Sequence, residues 1–414
     1  MTALLLYSDE PLAEAAIARR LPDVTCRPTT EMPSRPTATP SLALRRGASS
    51  EVTVDGADLL VAALRAVGVP ARGDGEPVPV PTIVLPHEDD RLAGVAAAVE
   101  RWCGAHADRS VVLAAPRSAC AGVDRAVEIV ELALERFGAP LYVRKQIVHN
   151  EHIVADLTAR GAVFVDSVDE VPEGAAVVFS AHGVSPAVRQ AAAERRLVTI
   201  DATCPLVAKV HSEARQHARE GRTIAYIGHA GHEESEGTLG EAPGVMHLVE
   251  TVEDVDRLEV RDPHDVAFLT QTTLAADEVG EIVTALRHRF PDAKGPRGED
   301  ICYATTNRQH AVRAVAAGVD LVIVVGSRTS SNANRLVEVT TRSGAPAVLV
   351  EDATELDPAL LRGVARVGVT AAASTPEPLV QRLIAALSSL GRVEVDEVRV
   401  AREDIAFTLP AALR

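Results

Sequence analysis

The 414-residue sequence predicts an α/β fold built on parallel sheets, and three observations carry the prediction. From Ser110 onward, β-branched runs at 111–115, 176–180, 197–200, 223–227, 267–269, 321–325 and 347–350 alternate with stretches of helical periodicity. Strands separated by helices need crossover connections, which join parallel neighbours. Three segments also share one layout, in which a strand or turn runs into a cysteine and then into a helix. They are 111–120 before 122–137, 197–204 before 208–219, and 300–302 before 306–317. The spacings Cys120 to Cys204 and Cys204 to Cys302 are 84 and 98 residues, each about one small α/β unit, an internal repeat in architecture more than in identity.

The first 108 residues differ. They hold 11 of the 25 prolines, concentrated in 22–40 and 70–86, and these stretches read as loops or linkers. Between them lie expected strands at 4–7 and 82–85 and expected helices at 12–20, 57–67 and 92–105. Residues 1–108 are therefore expected to form a small, loosely built α/β extension.

A hydrophobic content of 47% is ample for several cores and excludes a natively disordered chain. A formal charge of −16, from 42 Lys+Arg against 58 Asp+Glu, disfavours nucleic acid or an anionic membrane as partner. An anionic substrate must then be held by local geometry. Five cysteines, Cys26, Cys103, Cys120, Cys204 and Cys302, are an odd and widely spaced set. With no basic, apolar leader at the N-terminus, they point to thiols in a reducing, cytoplasmic compartment. No apolar run approaches the roughly 18 residues of a membrane span.

In an open α/β sheet, ligands gather beyond the carboxyl ends of strands, where helix N-termini present unpaired N–H groups. A cysteine there has its thiolate favoured. Three such units could bring three thiolates to one point, a donor set suited to zinc or to a cubane cluster with one open iron. Taken singly, each cysteine reads as an ordinary buried side chain. Likewise, His149, His182 and His232 read singly as loop histidines, Glu233, Glu234 and Glu236 as a solvated acidic loop, and 330–334 as a polar helix cap. His229 and His232 lack a third ligand of recognised zinc spacing.

The constellation changes those readings. Pro116-Arg117-Ser118-Ala119-Cys120-Ala121-Gly122-Val123, Val148-His149-Asn150, Ser180-Ala181-His182-Gly183-Val184 and Asp201-Ala202-Thr203-Cys204-Pro205 closely resemble the 4-hydroxy-3-methylbut-2-enyl diphosphate reductase family. So do Gly228-His229-Ala230-Gly231-His232 with Glu234, Thr270-Gln271-Thr272-Thr273, Asp300-Ile301-Cys302-Tyr303 through Arg308, and Ser330-Ser331-Asn332 with Asn334-Arg335. The blocks occur in family order from about residue 110 to 375, with a similar tail to near Arg414.

The resemblance implies a three-lobed, pseudo-threefold trefoil of small parallel-sheet α/β domains around a central [4Fe–4S] cluster, one per subunit. Its core would span 109–390, with lobes at about 122–203, 204–300 and 301–390 plus 109–121, followed by a tail at 391–414. It implies Cys120, Cys204 and Cys302 as cluster ligands. His149, His182, Ser330, Asn332 and Ser374, with neighbouring Ser331, would hold the diphosphate. His232, Glu234 and Thr272 would surround the substrate hydroxyl, Glu234 as proton relay. The implied reaction is a two-electron reductive dehydroxylation giving isopentenyl and dimethylallyl diphosphate. With no Rossmann or Walker pattern in the chain, electrons are expected from a protein such as ferredoxin or flavodoxin.

Ser118 and Ala119 replace the Gly and Phe usual before the first cysteine, Lys145 a common His, and Ala372 a common Gly. Two other readings stand beside the reductase: a hydro-lyase that would use the same cluster only as a Lewis acid, and a non-catalytic paralogue that senses redox state or binds an isoprenoid diphosphate, which Ser118-Ala119 and the long extension leave open.

Overall fold

The computed structural model describes residues 92–414 without a break and, before them, the elements Leu4–Ser8, Val24–Arg27, Ser41–Gly47, Val52–Asp55, Asp58–Ala66, Ala71–Gly73 and Thr82–Pro86. The six strands among those elements, β1 to β6 in chain order, form one sheet in the order β2-β1-β3-β6-β4-β5. Every pairing is parallel except β4 with β6. The strands Val24–Arg27 and Ala71–Gly73 correct the reading of the proline-rich stretches as loops. The helix expected at 12–20 lies outside the described residues.

Three parallel sheets follow. After β7 (Arg109–Ala115) come β8 (Leu141–Arg144), β9 (Ala162–Val165), β10 (Ala176–Phe179) and β11 (Val198–Asp201), in the order β11-β10-β8-β9. The second sheet is β12 (Thr223–Ile227), β13 (Met246–Val249) and β14 (Val266–Thr270), ordered β13-β12-β14. The third takes β15 (Leu321–Val325), β16 (Ala347–Val350), β17 (Arg366–Ala371) and β18 (Val393–Arg399), and inserts β7 between β17 and β18. Thus the stretch read as a tail contributes a strand. Strand alternation assigns the two faces of this sheet: Val111, Leu113, Ile323, Val325, Val367 and Val369 enter one apolar cluster, while Val112, Ala114, Val322 and Val324 face the other way.

The extension is part of the first of those clusters. Leu59, Leu60 and Leu64 of helix Asp58–Ala66 and Val95, Val99 and Trp102 of helix Leu92–Gly104 are buried with Leu356, Leu361, Leu383 and Leu387. Polar contacts fix the seat: Asp58 accepts two 2.7 Å hydrogen bonds from Arg382, and Arg101 pairs with Asp357 at 2.5 Å. A further ion pair joins the first and third sheets, from His152 to Asp352 at 3.4 Å.

Two outcomes follow from this packing. Leu60→Ala, made at a fully buried site, is expected to cost about 2–5 kcal/mol in denaturant unfolding of the full chain; a cost below about 1 kcal/mol would show the helix to be a dispensable attachment. The hydrogen bond to Asp352 raises the His152 pKa, so this stabilisation is complete below the ordinary value of 6.5 and is lost as pH climbs through the raised one. The pair is partly exposed, so the effect is under about 1 kcal/mol. His152→Gln should therefore lower the melting temperature at pH 6 and leave it unchanged at pH 9.

Candidate active site

Each of the three cysteines is the N-cap of a helix. Cys120 precedes Ala121–Phe137, Cys204 precedes Pro205–Arg219, and Cys302 precedes Tyr303–Ala316. The helices begin at the residue after each cysteine, one to three residues earlier than periodicity suggested. Their backbone N–H groups are fixed in the same way: Cys120 donates to the Ala373 carbonyl (3.1 Å), Cys204 to Ala181 (2.9 Å) and Cys302 to Thr272 (3.0 Å). Each acceptor lies just beyond a strand end, after β17, β10 and β14 respectively.

The three thiols are free and line one cavity. Gly122 shows how closely they converge: a Cβ there would stand 2.9 Å from Cys204 Sγ and 3.7 Å from Cys120 Sγ. Burial, reinforced by neighbouring cysteines, pushes the Cys204 thiol up to about 12 and Cys302 to about 11. Three adjacent thiolates therefore need a cationic partner to be stable, and three helix N-termini already favour their charge. The donor set and the space kept by Gly122 fit an iron–sulfur cluster.

The same cavity gathers every residue that the resemblance assigned to the substrate: His149, His182, His232, Glu234, Thr272, Ser330, Ser331, Asn332 and Ser374. Glu234 is 1% exposed, in the first turn of helix Glu233–Leu239, which corrects the solvated-loop reading. One carboxylate oxygen accepts the Thr272 N–H (2.7 Å) and the other the Thr272 hydroxyl (2.9 Å). Burial nevertheless raises its pKa. His232 Nδ1 accepts the Glu234 N–H at 3.1 Å, so the neutral ring carries its proton on Nε2, which is buried without a protein partner. Burial and the neighbouring histidines lower His232 to about 2, and burial with His182 lowers His149 to about 3.

On the opposite wall, Ser330 caps helix Ser331–Arg342. Asn332 Oδ1 accepts the Ala373 N–H (2.9 Å), and the Ser374 hydroxyl donates to the His149 carbonyl (2.9 Å), joining third-lobe and first-lobe loops. Ser331 accepts from Thr273 at 3.1 Å. His229, by contrast, is held by Arg335 at 2.5 Å and does not line the cavity.

Several residues of the matching blocks carry roles that the sequence did not assign. Gln271, fully buried, holds the His229 N–H (3.0 Å) and Thr273 (2.9 Å). Arg308, also fully buried, donates to the Ser118 carbonyl (2.6 Å) and pairs with Glu403 (3.1 Å), tying the Cys120 loop to the chain terminus. Ser118 has a left-handed backbone (φ 62°), a conformation that suits glycine, and its hydroxyl donates to Glu377 at 2.5 Å. Ala372 is not among the left-handed residues, so the Ser374 loop accommodates it without that strain. His149, His182 and Glu233 bring ligand atoms within 4.8 Å of one another from three separate segments.

Three parallel α/β sheets around a thiol-lined cavity with a buried acid and three histidines define the class: an α/β oxidoreductase whose three thiols form a metal-donor set. A family model described as "LytB protein" matches residues 111–388. The chain is 58% identical over 307 residues to 4-hydroxy-3-methylbut-2-enyl diphosphate reductase of Leifsonia xyli subsp. xyli, covering 74% of this chain and 91% of that protein. It is 53% identical to the protein of the same name from Actinobacillus succinogenes, covering 73% and 98%. Among solved structures, the E-1-hydroxy-2-methyl-but-2-enyl-4-diphosphate reductase of Plasmodium falciparum is similar with a TM-score of 0.71 and 39% identity, over 74% of this chain and 97% of that one. This chain belongs to the LytB family, whose members are iron–sulfur enzymes.

Gly122→Ala should displace the Cys204 thiol and reduce the iron bound after anaerobic reconstitution by more than half, with near-native far-UV circular dichroism. Undiminished iron and visible absorption would reject the thiol convergence as the metal site.

Proposed function

We propose that this chain reduces (E)-4-hydroxy-3-methylbut-2-enyl diphosphate to isopentenyl and dimethylallyl diphosphate, releasing the allylic hydroxyl as water. The observation that carries the reading is the shared cavity: three thiols, a buried acid hydrogen-bonded to a threonine, and a wall of histidine, serine and asparagine side chains. Cys120, Cys204 and Cys302 would hold one [4Fe–4S] cluster, which supplies electrons and an open iron acting as Lewis acid.

The rest of the chemistry belongs to the protein. Glu234, with its pKa raised by burial, lies within hydrogen-bonding reach of the Thr272 hydroxyl, which shares the cavity wall with the thiols. That pair would deliver the proton that turns the departing hydroxyl into water. His232 offers a fixed Nε2–H toward the same space. His149, His182, Ser330, Ser331, Asn332 and Ser374 would receive the diphosphate, with the N-terminus of helix Ser331–Arg342 adding backbone N–H groups. No Lys or Arg lines this cavity, so the anion is held by neutral or switchable donors in a protein of net charge −16. An electron-transfer protein such as ferredoxin or flavodoxin would supply the two electrons. Among the described residues no helix is long and apolar enough to cross a membrane.

Anaerobically reconstituted protein supplied with this diphosphate and a chemical reductant should yield both products; turnover without any electron donor would sink the reductase reading. Glu234→Gln should retain the cluster's absorption while kcat falls about 100-fold or more. Undiminished turnover in that variant would remove Glu234 from the proton path.

A further inference from the structure

Glu233 stands behind the cavity. It is absent from the lining, yet its side chain is only 15% exposed, and its Oε2 accepts the Nδ1–H of His182 at 3.0 Å and the Ser180 hydroxyl at 3.4 Å. The His182 ring stacks on His149, with centroids 4.1 Å apart and planes 21° from parallel. It also meets the edge of His232 at 5.8 Å. His149 is tethered on its far side, where Nδ1 donates to Gln146 Oε1 at 3.3 Å. All three rings line the cavity.

We infer that Glu233 is a positioning residue for the diphosphate subsite: its carboxylate pins His182 through Nδ1, commits Nε2 to the ligand, and through the ring stack fixes where His149 stands. The inference rests on the reading above that these two histidines receive the diphosphate. With Nδ1 engaged, Nε2 is the ring's remaining hydrogen-bonding atom, and no described residue takes it. A carboxylate that accepts from one imidazole nitrogen makes the other more basic, and once that nitrogen carries a proton the cationic ring is a charge-assisted donor to an anion. Ser180 is fully buried and steadies the same carboxylate oxygen, so the tether is supported from behind. A bare carboxylate near a diphosphate would instead repel it. The two effects have opposite signs, and removing the carboxylate separates them.

The test compares reconstituted wild-type protein with Glu233→Ala and Glu233→Gln, using calorimetric binding of inorganic diphosphate together with steady-state kinetics. Glu233→Ala should weaken diphosphate binding and raise KM about tenfold, the value of one charge-assisted hydrogen bond, with kcat within about threefold. Glu233→Gln should recover part of the loss, because its amide oxygen can still accept the Nδ1–H. A variant that merely disturbed folding would lose iron and kcat together; if Glu233→Ala does so, the isosteric Glu233→Gln decides by the same split between KM and kcat. Binding that is unchanged or tighter in both variants overturns the inference. If wild type binds inorganic diphosphate and the variants rank as stated, but no allylic diphosphate turns over, the reductase reading fails and this one stands.

Discussion

The site depends on three backbone hydrogen bonds. In each lobe a cysteine N–H is bound to a carbonyl just past the end of a strand: Ala373, Ala181 or Thr272. One bond therefore sets both the start of a helix and the position of its thiol. It also sets the opposite wall, because the acceptors adjoin or are the polar residues of the cavity: Ser374 follows Ala373, His182 follows Ala181, and Thr272 itself bonds Glu234. Metal-facing and substrate-facing groups are thus placed by the same contacts, and neither set can shift alone.

Much of this was legible in the sequence because it is local. The parallel strands announced themselves as β-branched runs, and the three cysteines as strand-to-helix junctions, since both signals lie within a few residues. What escaped notice is non-local. Glu233 sits in an acidic run that looks solvated, and only the approach of His182, 51 residues away, gives it a partner. Arg308 is buried because carbonyls 189 to 191 residues earlier accept its guanidinium. The seat of the extension is non-local as well. Its helices are apolar enough to be buried, but the surface that buries them comes from residues 321–390.

The electrostatics of the cavity are economical. A chain of net charge −16 binds no anion through its general field, and here burial disfavours the charged forms of His149, His232 and Glu234. Apart from the Glu233 carboxylate, these groups store little formal charge before ligands arrive, which limits the desolvation cost of stored ions. Charge then enters with the ligands and meets oriented donors.

The order of strands in the third sheet bears on how the protein is made. β7, which leads directly into Cys120, is flanked by β17 and β18, so its neighbours are synthesised long after it. The first and second sheets draw on contiguous chain and can close during synthesis. The Cys120 loop, whose N–H waits for Ala373, cannot reach its place until the C-terminal strands have emerged. Completion of the thiol triad therefore waits for chain more than 250 residues beyond Cys120, and a chain truncated before β17 would lack the framework that holds one of its three thiols.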